Sequence, residues 1–290
     1  MGAELDLPMF RRGKVRDTFV LGEHLLMVAT DRISAFDSVL PDGIPGKGKV
    51  LNQLSAWWFQ RTGGLVENHM ISTDLKDLDN RLKPHLAALE GRSMLVRRAD
   101  RVDIECVVRG FLAGSAWAEY QQSGTVAGEP LPRGLVKAEE LQTPIFSPAT
   151  KEADGHDRNI SHPELVEMIG AQLASQLKET SLRLYQLARK VVRQAGILLV
   201  DTKFEFGFID GRLVLIDEAL TPDSSRYWEA AAYRPGADQH SLDKQPVRDY
   251  LDQFGWDRQP PAPRLPPAVV LGTAARYREV FQRITQVAVP

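Results

Sequence analysis

Acidic and basic side chains are concentrated in one short segment that also has the pattern of a β-hairpin. The charged residues within 200–228 that could do chemistry are Asp201, Lys203, Glu205, Asp217, Glu218, Asp223 and Arg226. Apolar residues between them indicate a half-buried sheet, in which an ionised group is costly unless it is paired or binds a metal. A divalent cation with a phosphate substrate would supply that compensation, because Mg²⁺ prefers one or two carboxylates plus phosphate oxygens. The alternative, an ion-paired surface hairpin without chemistry, ranks second because of those apolar residues.

The register of this hairpin decides whether two of its carboxylates can meet. The Asp-Gly pair at 210–211 predicts a two-residue turn. In that register Glu205 lies opposite Ile216, and Asp217 then points to the other face of the sheet. For Glu205 and Asp217 to share a metal, we therefore expect a three-residue loop or a bulge, for which Gly207 is a suitable position.

Composition excludes several classes of protein. The 290 residues include 36 Lys and Arg and 38 Asp and Glu, for a net charge of −2, so any anion site must be a local cluster and nucleic acid is not expected as a partner. The only cysteine, Cys106, lies in an apolar run and is interpreted as a core residue. It cannot form an internal disulfide and fits a reducing compartment. With no apolar run of about 18 residues and no signal-peptide pattern, we expect a soluble, cytoplasmic protein without membrane contact.

Hydrophobic periodicity predicts a small region of strands followed by a larger mixed region. Strands are predicted at 9–10, 17–21, 24–30, 93–96, 104–108 and 197–200, and helices at 49–61, 114–122, 161–196 and 273–286. Ser115 is the predicted N-cap of the second helix, and a capping box at Ser161–Glu164 opens the third. Residues 124–159 show no clear pattern and are interpreted as a functional or mobile segment.

Two local features favour an anion. Gly13 lies between two predicted strands and is followed by Lys14 and Arg16, so that backbone and charge could approach a polyphosphate. The alternative there is a solvated hairpin turn. The helix predicted to start at 114 follows Arg109 and could bind a phosphate through its free N–H groups, although simple capping explains the same residues equally well.

A series of strings, in this order along the chain, resembles the SAICAR synthetase family of purine biosynthesis. They lie at 13–17 (GKVRD), 29–37 (ATDRISAFD), 46–53 (GKGKVLNQ), 105–120 (ECVVRGFLAGSAWAEY), 147–161, 200–207 (VDTKFEFG), 217–228 and 243–248 (DKQPVR). The resemblance covers nearly the whole chain from Gly13 to about Asp257. It is therefore far more specific than any single glycine loop.

The resemblance implies an ATP-dependent ligation. In the family's reaction, ATP phosphorylates the carboxylate of CAIR, a phosphoribosyl aminoimidazole. L-Aspartate then attacks the acyl phosphate, and the products are SAICAR, ADP and phosphate. It implies ATP and Mg²⁺ as cofactors, and CAIR and L-aspartate as small-molecule partners. Phosphoryl transfer of this kind needs positioning and charge neutralisation more than covalent help from the protein.

The resemblance also implies residue roles. The catalytic residues are Asp201, Lys203, Glu205 and Asp217, and the metal ligands among them are Glu205 and Asp217. The ATP contacts are Gly13, Lys14 and Arg16, and the CAIR contacts are Arg109, Ser115, Arg226 and Arg248. A candidate aspartate site comprises Lys151, Asp157 and Arg158. The segment 97–103 matches the adenine hinge. Pro246 stands where the family usually has an apolar residue, and proline inside a helix would disturb the segment that holds Arg248.

The implied fold is α+β with two lobes. Residues 1–98 form a small antiparallel-sheet lobe that clamps ATP through the glycine loop, and residues 99–290 form a larger α/β lobe with the metal hairpin and the CAIR phosphate site. Two alternatives remain open. A small-molecule kinase with the same ATP site would release ADP without aspartate, and a non-catalytic nucleotide-binding module could do without Glu205 and Asp217. Neither gives Arg109, Ser115 and Arg226 a shared purpose.

Overall fold

A computed structural model describes residues 5–74, 80–151 and 158–288. Its strands, in chain order, are β1 (Met9–Arg12), β2 (Arg16–Leu21), β3 (His24–Ala29), β4 (Ser34–Ala35), β5 (Ser38–Val39), β6 (Met70–Ser72), β7 (Ser93–Arg97), β8 (Asp100–Arg101), β9 (Ile104–Phe111), β10 (Thr125–Val126), β11 (Glu129–Pro130), β12 (Glu140–Thr150), β13 (Ile197–Ile209), β14 (Arg212–Ile216) and β15 (Ser225–Glu229). Its helices are α1 (Lys47–Thr62), α2 (Leu86–Leu89), α3 (Ser115–Ser123), α4 (His162–Ile169), α5 (Ala171–Gln194), α6 (Gln245–Phe254) and α7 (Pro267–Thr285), with 3₁₀ turns at Asn80–His85 and Ala230–Ala232. Among these described helices, none combines the length and apolar character that crossing a bilayer requires.

Two antiparallel sheets carry the residues of interest. The first has the order β1-β2-β3-β7-β6, and the second has the order β12-β9-β13-β14, with β8 and β15 also pairing with β13. Helix α5 packs on β13 and β9 of the second sheet, while α1 packs on β3 and β7 of the first and against α7. This arrangement confirms the predicted α+β fold. The functional division into lobes at residue 98 stays a prediction.

Strand β13 is the centre of the second sheet and the element that positions most of the charged residues. Its Phe204 and Phe206 are fully buried in the main hydrophobic cluster, which α5 also enters. Because side chains alternate along a strand, this burial puts Asp201, Lys203 and Glu205 together on the opposite face. The apolar face thus fixes the orientation of the charged one.

The expected three-residue loop or bulge in the β13–β14 hairpin is wrong. The strands pair in regular register from Glu205 and Ile216 to the turn, and turn residues 210 and 211 have φ angles of 51° and 73°, as a two-residue type I′ turn requires. A Cβ on Gly207 would lie 2.9 Å from a main-chain oxygen of β8, so this glycine permits a close approach rather than a bulge. Strand β14 ends at Ile216 and Asp217 has a φ of 66°. The alternation of the strand therefore does not extend to Asp217.

Residues 124–159 hold more structure than the sequence predicted. Strand β12 pairs with β9 from Glu140 to Thr150 across one register shift, and β10 and β11 form a small hairpin. Strand β12 lies at the edge of its sheet, where Pro144 and Pro148 are tolerated because an edge strand has one side without ladder hydrogen bonds. These prolines, with the polar Gln142 and Thr143 before them, obscured the strand pattern.

The predicted helices are present, but their first and last residues differ from the predicted ones. Gly114, rather than Ser115, is the N-cap of α3, and no side chain caps that helix. The helix predicted to follow the capping box as one piece is divided at Gly170, whose φ is 82°. Pro246 lies in the first turn of α6, where its missing N–H would have no helical partner in any case. The segment that holds Arg248 is therefore a regular helix.

The capping box at the start of α4 is confirmed. The Oγ atom of Ser161 accepts the main-chain N–H of Glu164 at 3.4 Å, and the Glu164 carboxylate accepts the N–H of Ser161 at 2.7 Å. Arg158 also donates to this carboxylate at 3.0 Å. The hydrogen bonds from Ser161, followed by that from Arg158, lower the pKa of Glu164 from 4.5 to about 2.

Glu164→Gln should lower the free energy of unfolding at neutral pH, and its difference from the wild type should shrink in acid. The folded-state pKa is depressed, so the carboxylate stabilises fully above its ordinary pKa of 4.5, and this is lost as the pH falls through about 2. Urea unfolding at a series of pH values measures the difference. Glu167→Gln, at an exposed position of the same helix, is the matched control. An equal loss at every pH would contradict the role given to this carboxylate.

Candidate active site

A cavity of about 950 Å³ has walls from both of these sheets. Its lining includes the glycine loop and most of the segment 97–103. It also includes Lys151, which directly follows β12, and three residues of the hairpin segment: Lys203, Glu205 and Asp217. A volume of this size is typical of small-molecule and cofactor sites. The residues predicted to contact ATP, the predicted hinge and the predicted metal ligands therefore meet on one surface.

The glycine loop between β1 and β2 is held in place by Arg32. This guanidinium donates to the carbonyl oxygens of Gly13 at 3.0 Å and Lys14 at 3.1 Å, and to the buried carboxylate of Asp17 at 2.7 Å. The amine of Lys14 pairs with Asp37 at 2.5 Å, and about half of each side chain is exposed. Arg32 thus fixes the main chain of the loop, and Lys14 stays accessible at the cavity.

Arg16 connects the first sheet to the charged hairpin. It lies 2.8 Å from Asp217 and 2.8 Å from Glu218, although Arg16 is about 200 positions from both in sequence. Burial alone would lower the pKa of Arg16, but these carboxylates outweigh it and raise the pKa above its ordinary value. The guanidinium is therefore a permanent cation at the cavity wall.

Two lysines and two glutamates form a compact charge network around Glu205. Lys203 lies 3.0 Å from Glu205 and also contacts Glu105, while Lys151 contacts Glu205 from the other side. Burial would raise the pKa of Glu205, but Lys203 and Lys151 outweigh it and hold that pKa below its usual range. Burial would lower the pKa of Lys203, whereas Glu205 and Glu105 raise it. Glu205 and Lys203 therefore stay ionised at neutral pH.

Sequence reasoning gave no role to several residues that the structure brings to this site. Glu105 could have been found, because Glu105 and Arg109 share one face of β9 by strand alternation. Asp223 also lines the cavity; it pairs with the fully buried Lys47 at 2.7 Å and accepts the hydroxyl of Tyr277 at 2.6 Å. Lys47 and Tyr277 belong to α1 and α7, and no local pattern indicates that these helices meet the hairpin.

A second cluster lies farther along β13, at Asp201. This residue pairs in register with Arg109 on β9 and with Arg226 on β15. The carboxylate lies 3.8 Å from Arg109 and 2.5 Å from Arg226, and Arg109 donates to the Ser115 hydroxyl at 3.1 Å. The pKa of Arg226 is raised, mainly by the charge of Asp201, whereas the pKa of Arg109 is lowered, mainly by burial.

This cluster brings two guanidiniums to the start of a helix. They share the carboxylate of Asp201 beside the first turn of α3, and the guanidinium of Arg226 also interacts with the buried Asp243. A Cβ on Gly114 would lie 2.5 Å from the Arg226 guanidinium, so Arg226 reaches the main chain exactly where α3 begins. Free N–H groups at a helix start also attract anions. Ser115 thus belongs to the predicted cluster through its hydroxyl and its main chain, not as a cap.

The remaining predicted residues are not all brought to these two clusters. Arg248 on α6 donates to Gln245 at 3.4 Å, and its charge acts on Asp243, as that of Arg226 does. Arg158 does not line the cavity; it pairs with Glu164, and 61% of its side chain is exposed. Asp157 lies outside the described residues. Of the candidate aspartate site, Lys151 alone among the described residues is on the cavity wall.

The acidic pair fits a metal that a substrate helps to bind. Within residues 5–74, 80–151 and 158–288, no group of three or more His, Cys, Asp or Glu forms a metal site by itself. Mg²⁺ characteristically takes one or two carboxylates and completes its shell with phosphate oxygens and water. Glu205 and Asp217 supply two such carboxylates in the lining of one cavity. The donor set therefore suits Mg²⁺ accompanied by a phosphate ligand.

Comparisons with known proteins agree with this arrangement. A family model described as SAICAR synthetase matches residues 9–263. A phosphoribosylaminoimidazole-succinocarboxamide synthase from Elusimicrobium minutum is 49% identical over 284 residues, which is 97% of each chain. One of the same name from Thermodesulfovibrio yellowstonii is 50% identical over 277 residues, covering 96% of this chain and 95% of that relative.

Solved structures give the same result. A SAICAR synthase from Saccharomyces cerevisiae complexed with SAICAR is 38% identical, with a TM-score of 0.89 over 99% of this chain and 98% of that one. A SAICAR synthetase in complex with ADP is 26% identical, with a TM-score of 0.68 over 96% of this chain and 98% of that one. With a family model matched over most of its length, and relatives about half identical along nearly all of it, this chain belongs to the SAICAR synthetase family of purine-biosynthesis ligases.

Proposed function

We propose that this enzyme uses ATP to join the carboxylate of CAIR to the amine of L-aspartate through an acyl phosphate, releasing SAICAR, ADP and phosphate. The observation that carries the proposal is the row of Asp201, Lys203 and Glu205 along one face of β13. This row leads from the two-arginine cluster to the cavity wall that faces the glycine loop. A substrate with a phosphate at one end and a carboxylate at the other matches the two ends of this row. Similar structures complexed with SAICAR and with ADP support both ligand types.

ATP is proposed to occupy the cavity between the glycine loop and the segment 97–103. Lys14 and Arg16 would neutralise its phosphates, and main-chain groups of 97–103 would contact the adenine. Both regions line the same cavity, and the loop backbone is held by Arg32. Such fixed charges act on the phosphoryl group without reorganising during the reaction. Residues 1–98 and 99–290 would then act as two lobes that close on ATP.

Glu205 and Asp217 would hold Mg²⁺ together with the ATP phosphates. When bound, the ion would supply positive charge that stabilises the charge developing on the phosphoryl oxygens. Lys203 and Lys151 keep the pKa of Glu205 below its usual range, so the carboxylate is already deprotonated. Arg16 pairs with Asp217 at 2.8 Å in the lining of the same cavity.

The bond changes assign different tasks to the cations. A CAIR carboxylate oxygen attacks the γ-phosphorus, and the bond from that phosphorus to the ADP oxygen breaks. The aspartate amine then attacks the acyl carbon and displaces phosphate, and the proton that the amine releases passes to solvent. The raised pKa of Lys203 keeps it protonated, so it would orient and neutralise the CAIR carboxylate rather than act as a base. Lys151, on the same wall, would attract a carboxylate of L-aspartate. The buried thiol of Cys106 fits a reducing compartment, and we place the reaction in the cytoplasm.

Sustained ADP release from ATP and CAIR should require L-aspartate. In a ligase, the acyl phosphate waits for the amine, so omitting L-aspartate should leave at most a single turnover. A coupled ADP assay with and without L-aspartate, together with a rapid-quench measurement of the first turnover, checks this. Continuous ADP release with CAIR alone would favour the small-molecule kinase instead.

Glu205→Gln and Asp217→Asn should each lower kcat by about a hundredfold or more, because each removes a charged metal ligand with little change in volume. Steady-state kinetics across a range of Mg²⁺ concentrations measure the effect, and thermal unfolding checks the fold. Asp210→Asn makes the same kind of change at the exposed turn of the hairpin and serves as the control. Unchanged kcat in both variants with intact folding would exclude the metal role.

Arg226→Ala should raise the dissociation constant of CAIR by about ten- to a hundredfold and leave that of an ATP analogue nearly unchanged, because a charge-assisted hydrogen bond to phosphate is lost. Arg226→Lys should recover only part of the affinity, since an ammonium lacks the planar fork. Titration calorimetry with each ligand measures both constants. Arg234→Ala, at an exposed position after β15, is the control. Weaker binding of the analogue with CAIR affinity unchanged would place Arg226 in the other site.

A further inference from the structure

Strand β13 contains one extra residue opposite β15. Leu199 pairs with Tyr227, whereas Asp201 pairs with Arg226, so Val200 is a bulged residue without a partner on β15. In a regular ladder Arg226 would lie opposite Val200, on the face of the sheet away from Asp201. The bulge therefore puts the Arg226 side chain on the face that carries Asp201.

Helix α5 contacts the main chain directly before this bulge. The Tyr185 hydroxyl donates to the carbonyl oxygen of Leu199 at 2.6 Å, and the residue is fully buried. Burial raises the pKa of Tyr185, so the hydroxyl keeps the proton that it donates. The bulge is thus tied to a helix through a hydrogen bond that water does not reach.

A glycine in β9 makes this hydrogen bond possible. A Cβ on Gly110 would lie only 1.9 Å from the Tyr185 hydroxyl oxygen, so any side chain there would collide with it. Gly110 directly follows Arg109, the other arginine of the cluster. Strand β9 therefore supplies Arg109 and also leaves, at Gly110, the space through which Tyr185 reaches β13.

We propose that Tyr185 is a positioning residue for the phosphate site: it fixes the bulge at Val200 and, through it, holds Arg226 beside Asp201 and Arg109. This inference rests on the proposed binding of the CAIR phosphate at these arginines. The Tyr185 hydroxyl donates to the main-chain carbonyl oxygen of Leu199 and not to a phosphate-binding side chain. It acts through the main chain at Leu199.

Tyr185→Phe tests the proposal, because it removes the hydroxyl and keeps the ring. The dissociation constant of CAIR should rise about three- to tenfold, the effect of one buried hydrogen bond, while that of an ATP analogue and kcat at saturating CAIR stay unchanged. Tyr233→Phe is the matched control, since its hydroxyl donates to the carbonyl of Ala138 at 2.9 Å, outside both clusters. Both variants should lose some stability in urea, and only Tyr185→Phe should lose CAIR affinity.

A double variant separates positioning from general loosening. In the Arg226→Ala background, Tyr185→Phe should produce no further loss of CAIR affinity, because the residue it positions is gone. Unchanged CAIR affinity in Tyr185→Phe, or equal weakening of CAIR and the ATP analogue, would overturn the positioning role while the phosphate site stands. If Arg226→Ala itself spares CAIR binding, the phosphate site fails and the role of Tyr185 fails with it.

Discussion

The charged face of β13 imposes the constraint on which the rest of the site depends. Asp201, Lys203 and Glu205 are acidic and basic residues at two-residue spacing on a strand in the middle of a sheet, and a buried charge is tolerated only with a partner. The partners come from neighbouring segments: β9 supplies an arginine and a glutamate, β15 an arginine, and the end of β12 leads to Lys151. The pairing of β13 with its neighbouring strands therefore also determines which counter-charge each of its charged residues meets.

This pairing explains how these charged residues are accommodated without substrate and can still bind charged substrates. Around Glu205 the two lysines and two glutamates balance, so a phosphate entering there needs an accompanying cation. At Asp201 two arginines pair with one carboxylate. Under the proposed function, the two ends of the row therefore take different ligands: ATP with its metal at the cavity and the CAIR phosphate at the α3 end. Because the charges are fixed before binding, little reorganisation is needed during the reaction.

Local patterns in the sequence predicted those features whose causes are local. The capping box and the two-residue Asp-Gly turn follow from a few neighbouring residues. The expected bulge near Gly207 and the expected disturbance by Pro246 were wrong, because the hairpin register is regular and Pro246 lies in the first turn of α6. The left-handed turn at Asp217 was missed because strand alternation was extended one residue too far. The family resemblance predicted which residues belong to the site, but not where their side chains lie. Arg158, for example, pairs with Glu164 of the capping box instead of lining the cavity.

Contacts between distant segments could not be predicted, and Asp223 shows why they matter. Burial would raise its pKa, but Lys47 and Lys244 outweigh it and keep this cavity-lining carboxylate ionised. The hydroxyl of Tyr277 completes the arrangement from α7, which begins beyond the 9–263 match to the family model. Removing one partner of a buried charge costs more than the pair contributes, because the other charge is left uncompensated. The cavity wall at Asp223 therefore depends on a helix that supplies none of its lining.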